Sequence, residues 1–398
     1  MQLRGYLRTT LAVFLLGASG SPAGAQGWAD SLALDPPTWD LGPAELRLGG
    51  FASGSAYTAI SGGGTDESGV TGQLRANLRL QRTLDTGLTL GARSTILVFH
   101  DDLSGDAYGN DTFEKAYLYA TTGLGSVELG QQVGVGDTLG LTGPKVDDHV
   151  SLDNPDTTFF RDAATNGRFD SFFRPYTVVN DSGVDAKLNY LSPRLFGIQV
   201  GGSFTPHLVK APLPFLGNPS DAPDRQANVW EVAGSYSGYF GDLAAGLSGA
   251  FAHGSLENAT PGFESLYDFA LGVQFAYSLD AVKLSGGGGY RTTNAYALMP
   301  ASVYSGGETH LVHVSAMIET GAWRLGGEYS NGDVKGPTGV SDYGLDAYQL
   351  AAGYRVNDNL QLTLGWQWQN YARSLGTFSN SAKSVDMNAG FLTFGYTL

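Results

Sequence analysis

The sequence predicts an all-β fold, a closed 16-stranded antiparallel transmembrane β-barrel with short periplasmic turns and long external loops. Three observations predict it. Apolar and polar side chains alternate with period two in about sixteen segments between residue 45 and residue 398. The connections between those segments alternate strictly between short and long. The apolar faces of several segments carry aromatic residues at both ends and aliphatic residues in the middle, as a strand crossing a bilayer does.

Taken in order, the chain opens on a targeting segment. Arg4 and Arg8 form a basic start, LAVFLLGA (11–18) a short apolar run, and Ala23-Gly24-Ala25 a cleavage site, so a signal peptide over 1–25 is expected to be removed. Residues 26–44, with Pro36, Pro37 and Pro43, read as an extended arm, and 45–398 as the barrel. The strand cores fall near 45–57, 69–83, 88–99, 113–122, 126–133, 182–191, 196–205, 226–238, 242–253, 265–279, 281–291, 308–319, 322–331, 344–355, 360–371 and 385–398. In LQLTLGWQWQ, Leu360, Leu362, Leu364, Trp366 and Trp368 share one face and Gln361, Thr363, Gly365, Gln367 and Gln369 the other. In segment 265–279 the apolar face runs Tyr267, Phe269, Leu271, Val273, Phe275, Tyr277. Seven short turns (84–87, 122–126, 192–197, 237–242, 279–281, 319–322, 356–359) and eight long loops join the strands, with both termini on the short-turn side. The last strand alternates to the final residue and is expected to pair with the first, since a sheet in hydrocarbon cannot leave an open edge.

Composition agrees. Fifty-seven glycines, about twice the usual share, stand beside 16 prolines, 20 Phe and 20 Tyr. No further apolar stretch is long enough for a membrane-spanning helix, and there is no cysteine for a disulfide or a lipid anchor. Without the signal, 21 basic residues face 38 acids, a net charge of −17. That excess argues against nucleic acid as a partner.

Three stretches carry a resemblance. FEKAYLYATTGLGSVELGQQ (113–132), DSGVDAKLNYLSPRLFGIQVGGSF (181–204) and the terminal GFLTFGYTL are similar to the general-diffusion porin family of Gram-negative bacteria, trimeric 16-stranded outer-membrane porins, in its alphaproteobacterial branch. The family usually ends in Phe, where this chain has Leu398. The resemblance implies an outer-membrane location, contact with lipid and lipopolysaccharide, a homotrimer, and a water-filled channel for passive diffusion of ions and small hydrophilic solutes. It also implies that the longest loop, about 134–181, folds inward as a constriction. A substrate-selective channel, for sugars for example, is the alternative; a barrel adhesin or enzyme is a third reading, and no enzyme activity is expected.

In QLRANLRLQR (73–82) the leucines then face lipid and the arginines the lumen, because a charge on the lipid face costs about 2–4 kcal/mol at mid-bilayer. Arg79 and Arg93 fall nearly level across the 84–87 turn, with Arg75 about one repeat higher and Arg47 inward on the first strand, making a basic, pore-lining wall. Arg82 is out of phase and near the rim. The acids Asp137, Asp147, Asp148, Asp153 and Asp156 of the inward loop are expected to face that wall and set up a transverse field. The family pattern favours Tyr117 and Tyr119 outward, so Lys115 is not counted as lumenal.

Other patterns carry no chemistry of their own. His310 and His313 fall on opposite faces of a strand, which rules against a shared metal. No cofactor is called for; DDLSGDAYGND (101–111) leaves room only for weakly bound calcium, since it lacks the twelve-residue loop pattern. SGGGGYR (285–291) offers no helix start for a phosphate loop and suits close packing inside the barrel.

Overall fold

A computed structural model of the chain describes residues 35–61, 67–100, 113–147, 149–153, 159–160, 176–208, 226–258, 261–295, 303, 305–336, 339, 341–377 and 383–398. The expected signal segment, residues 26–34 of the arm and the 101–111 loop lie outside them.

A short strand, β1 (Thr38–Asp40), precedes sixteen barrel strands. These are β2 (Glu45–Ser61), β3 (Glu67–Thr83), β4 (Thr89–His100), β5 (Phe113–Thr122), β6 (Gly125–Gln131), β7 (Ala186–Leu191), β8 (Ile198–His207) and β9 (Gln226–Phe240). They continue with β10 (Leu243–Leu256), β11 (Tyr267–Leu279), β12 (Val282–Thr293), β13 (Glu308–Thr320), β14 (Trp323–Lys335), β15 (Tyr343–Arg355), β16 (Leu360–Arg373) and β17 (Ser384–Thr397). Each pairs antiparallel with its neighbours in sequence, and β17 closes the ring on β2 from Thr397↔Phe51 to Met387↔Ser61. Closure removes both sheet edges, as hydrocarbon requires.

The short turns obey hairpin chemistry. Gly241-Asp242, Asp280-Ala281 and Gly321-Ala322 each place their first residue at positive φ (64°, 40° and 55°), which matches the right-handed twist of the flanking strands. At the same rim, β1 folds back on β2 (Thr38↔Arg47 to Asp40↔Glu45). It occupies the β2 edge just below Leu398, whose N–H donates to Gly50 O at 2.8 Å. This is the placement of the end of the arm.

The outer face is apolar. On β11, Tyr267, Leu271, Val273, Phe275 and Tyr277 are 40–49% exposed while Asp268, Ala270 and Gly272 between them are buried. Tyr239, Trp323 and Tyr354 ring the short-turn end, and Trp230, Tyr290 and Tyr348 the other. These are two interfacial girdles. The buried apolar side chains sit inside the barrel, where the loop after β6 packs. Tyr57, Phe159, Phe391, Tyr371 and Met387 form its largest cluster, with Phe159 stacked between Tyr57 (5.0 Å) and Phe391 (5.4 Å).

Strand lengths are uneven. Most exceed the 9–11 residues that cross a bilayer at a tilt of about 45°. β6 and β7, of 7 and 6 residues, do not. Residues 182–185 form a turn rather than the start of a strand, so the inward loop is longer than its sequence suggests.

Candidate pore constriction

The loop between β6 and β7 enters the lumen at once. It opens with one helical turn, α1 (Val135–Leu139), and lies against the inner wall from β7 round to β2, where His149 stacks on Phe51 and Phe159 on Tyr57. Wall side chains hold it by its backbone. Val135 N–H donates to Ser203 Oγ (2.8 Å), Gly136 N–H to Glu231 Oε2 (3.2 Å) and Leu141 N–H to Ser248 Oγ (2.8 Å). Ser315 Oγ donates to Pro144 O (2.7 Å), Gln361 Nε2 to Val146 O (2.7 Å) and Gln349 Nε2 to Val150 O (2.8 Å). Glu328 Oε2 accepts from Ser151 Oγ and Leu152 N–H, at 2.6 and 3.0 Å. Where the returning chain leaves the wall, buried Arg291 donates to Tyr176 O and pairs with Asp181 and Asp268, at 2.8 and 2.7 Å. Buried backbone groups need such partners. The wall's lone polar residues supply them.

Glycines let the loop come close. A Cβ on Gly272 would stand 1.8 Å from Leu141 O, and one on Gly289 would stand 2.4 Å from Thr177 Oγ1. Within the glycine run 286–289, Gly287 and Gly289 give this close approach, to Gly143 and Thr177 of the loop.

The four arginines occupy β2–β4. Arg47 is the direct partner of Arg79, and Arg79 of Arg93, so the three stand in one cross-strand row. Leu80 beside them is 43% exposed on the outer face. Like charges directly opposite are destabilising by roughly 0.2–1 kcal/mol per pair. Part of that cost is offset by Tyr119, which lies under two of them: Arg79 and Arg93 carbons are 5.9 and 5.2 Å from its ring centre, and Arg79 Nε donates to its hydroxyl at 3.1 Å. No carboxylate among the described residues is within 4 Å of Arg47, Arg79 or Arg93. Arg75 also points inward but pairs with Glu114 (2.7 Å), which takes its charge out of the row.

Two expectations are corrected here. Tyr117 and Tyr119 face the lumen with Lys115, and Leu118, 62% exposed, faces outward. The register slips between Thr95 and Ile96, so Glu114 sits at a bulge and turns to the side of Arg75. The loop acids also differ from the expected field. Asp147 is buried and accepts its own loop's His149 and Val150 N–H groups (2.8 and 3.3 Å). Asp153 is fully buried and accepts from Thr177 N–H (2.9 Å). Both carboxylates shape the loop. Asp137, half-buried on α1, accepts from Tyr176 (3.2 Å). Asp148 and Asp156 lie outside the described residues.

A third group was not singled out from the sequence. Lys283, Glu319 and Arg324 are successive cross-strand partners on β12–β14, inward-facing near the short-turn rim, with Arg355 beside them. Their positions alternate with outward Leu284, Ile318 and Trp323, a pattern the sequence does carry.

Comparison with known proteins completes the picture. A family model described as Gram-negative porin matches residues 10–374. A search of curated protein sequences finds no match. Among solved structures, an anion-selective porin from Comamonas acidovorans is 15% identical (TM-score 0.56, 89% of this chain and 100% of that one). OmpF of Salmonella typhi, in complex with daunomycin, is 15% identical (TM-score 0.55, 90% and 100%). OmpT of Vibrio cholerae in its trimer form is 12% identical (TM-score 0.52, 89% and 99%).

Proposed function

Since the chain belongs to the Gram-negative porin family and forms an outer-membrane channel for passive diffusion, we propose that its arginine row makes this channel prefer small hydrophilic anions. The observation that carries the reading is the row Arg47–Arg79–Arg93, three lumenal guanidinium groups on adjacent strands with no described carboxylate in contact. The described loop acids Asp147 and Asp153 are spent on loop geometry. The net charge of the whole chain does not enter, because charges beyond a Debye length of about 8–10 Å are screened from an ion at the constriction. The test is the reversal potential under a salt gradient in a planar bilayer. An anion-preferring potential is expected, and a cation-preferring one would refute the proposal.

The low wall at β6 and β7 supports a homotrimer. At about 3.3 Å per residue and a tilt near 45°, their 7 and 6 residues rise about 15 Å, half the hydrocarbon thickness. Another protomer, not lipid, suits such a face. The trimer form of the Vibrio cholerae protein agrees. A detergent-solubilised particle of three chains is expected; a monomer would contradict it.

A further inference from the structure

The cluster on β12–β15 has more cationic donors than it uses. Lys283 Nζ lies 2.7 Å from Glu319 Oε2, Arg324 Nε 3.1 Å and Arg355 Nη2 3.8 Å from Glu319 Oε1. One carboxylate therefore serves three cations. Beyond that, Arg324 donates to Gln361 Oε1 at 2.9 Å. An ammonium and two guanidinium groups carry many more N–H donors than one carboxylate and one amide oxygen accept. The side chains of Lys283 and Arg355 are 49% and 42% exposed, and both face the lumen.

A cavity of about 450 Å³ opens beside this cluster, beneath loop residues Leu141 and Pro144, and Lys283, Glu319, Arg324, Gln274 and Ser285 line it. The Ser285 hydroxyl is buried there with no hydrogen-bond partner. A buried polar group without a partner is costly. Lys145, whose ammonium donates to Asp153 O at 2.6 Å, borders the loop side.

We propose that Lys283, Arg324 and Arg355 form a second anion station at the short-turn end of the lumen, for small di- or multivalent oxyanions such as phosphate and carboxylate compounds. The guanidinium groups offer paired N–H donors to such oxygens and the ammonium a point charge. The Ser285 hydroxyl and the Gln274 amide N–H add donors from the cavity lining. Glu319 holds the three cations in place and leaves the site with an excess positive charge. In the sixteen-strand ring β12 lies six strands and β15 three strands from β2, so the station shares no strand with the arginine row. The inference rests on the lumen assignment of β12–β15 and not on the selectivity of that row.

Inorganic pyrophosphate, added at the short-turn side of single channels in a planar bilayer, tests it. It is expected to block the chloride current of the full-length protein. The pair Lys283→Gln and Arg355→Gln should raise the half-blocking concentration by at least about tenfold, since each removes a charge-assisted contact. The charge-keeping pair Lys283→Arg and Arg355→Lys should retain the block. An unblocked parent protein, or a half-blocking concentration unmoved by the first pair, would overturn the station. Arg79→Glu in the same assay tells the two readings apart: it alters chloride preference while short-turn-side block persists.

Discussion

Arg79→Glu is the sharpest perturbation of the pore, because Arg79 is the middle member of a row of three. An ion passing about 7 Å from a guanidinium group in water feels about 0.6 kcal/mol, or about 0.3 kcal/mol after screening at about 0.1 M salt. Three arginines favour an anion by about 0.9 kcal/mol and disfavour a cation equally, a preference of about 20-fold. Replacing Arg79 by Glu leaves a net charge of one, and the preference falls to about threefold on the same arithmetic. The assay is the reversal potential in a planar bilayer at low salt. Arg82→Glu is the control, since Arg82 pairs with outward Leu90 at the rim and lies outside the row. If Arg79→Glu leaves the permeability ratio where it was, or Arg82→Glu moves it as far, the row does not set selectivity.

Two further variants address the loop. Gly272→Val forces Leu141 off the wall, because its Cβ would stand 1.8 Å from Leu141 O; the loop moves toward the arginine row, and single-channel conductance should fall. Glu231→Ala strips Gly136 N–H and Ser182 of their acceptor, costs about 1–3 kcal/mol, and should lower the thermal midpoint and open the loop to added protease.

Much of this was readable in the sequence because a barrel strand repeats one simple rule. Alternation located all sixteen barrel strands, and the level of Arg79 and Arg93 followed from counting residues out from a four-residue turn. The rule fails where its period fails. A bulge at Glu114 puts it beside Arg75, and the family pattern that set Tyr117 and Tyr119 outward gave way to their contacts with Arg79 and Arg93. Nor does alternation say what an inward acid does. Glu231, Glu328 and Asp268 occupy lumenal positions like any other, and only the folded loop shows that they anchor it. Asp147 and Asp153 looked like free loop charges because local turns that consume carboxylates leave little trace in composition.

The central claim is that leucines of β3 meet lipid and its arginines meet water. The chain has no cysteine, so single cysteines can be read cleanly. Arg79→Cys and Leu80→Cys, reconstituted in lipid, are exposed to a membrane-impermeant charged thiol reagent while the chloride current is recorded. The account predicts that Arg79→Cys reacts and the current drops, while Leu80→Cys stays unlabelled. Labelling of Leu80→Cys with Arg79→Cys protected would contradict it.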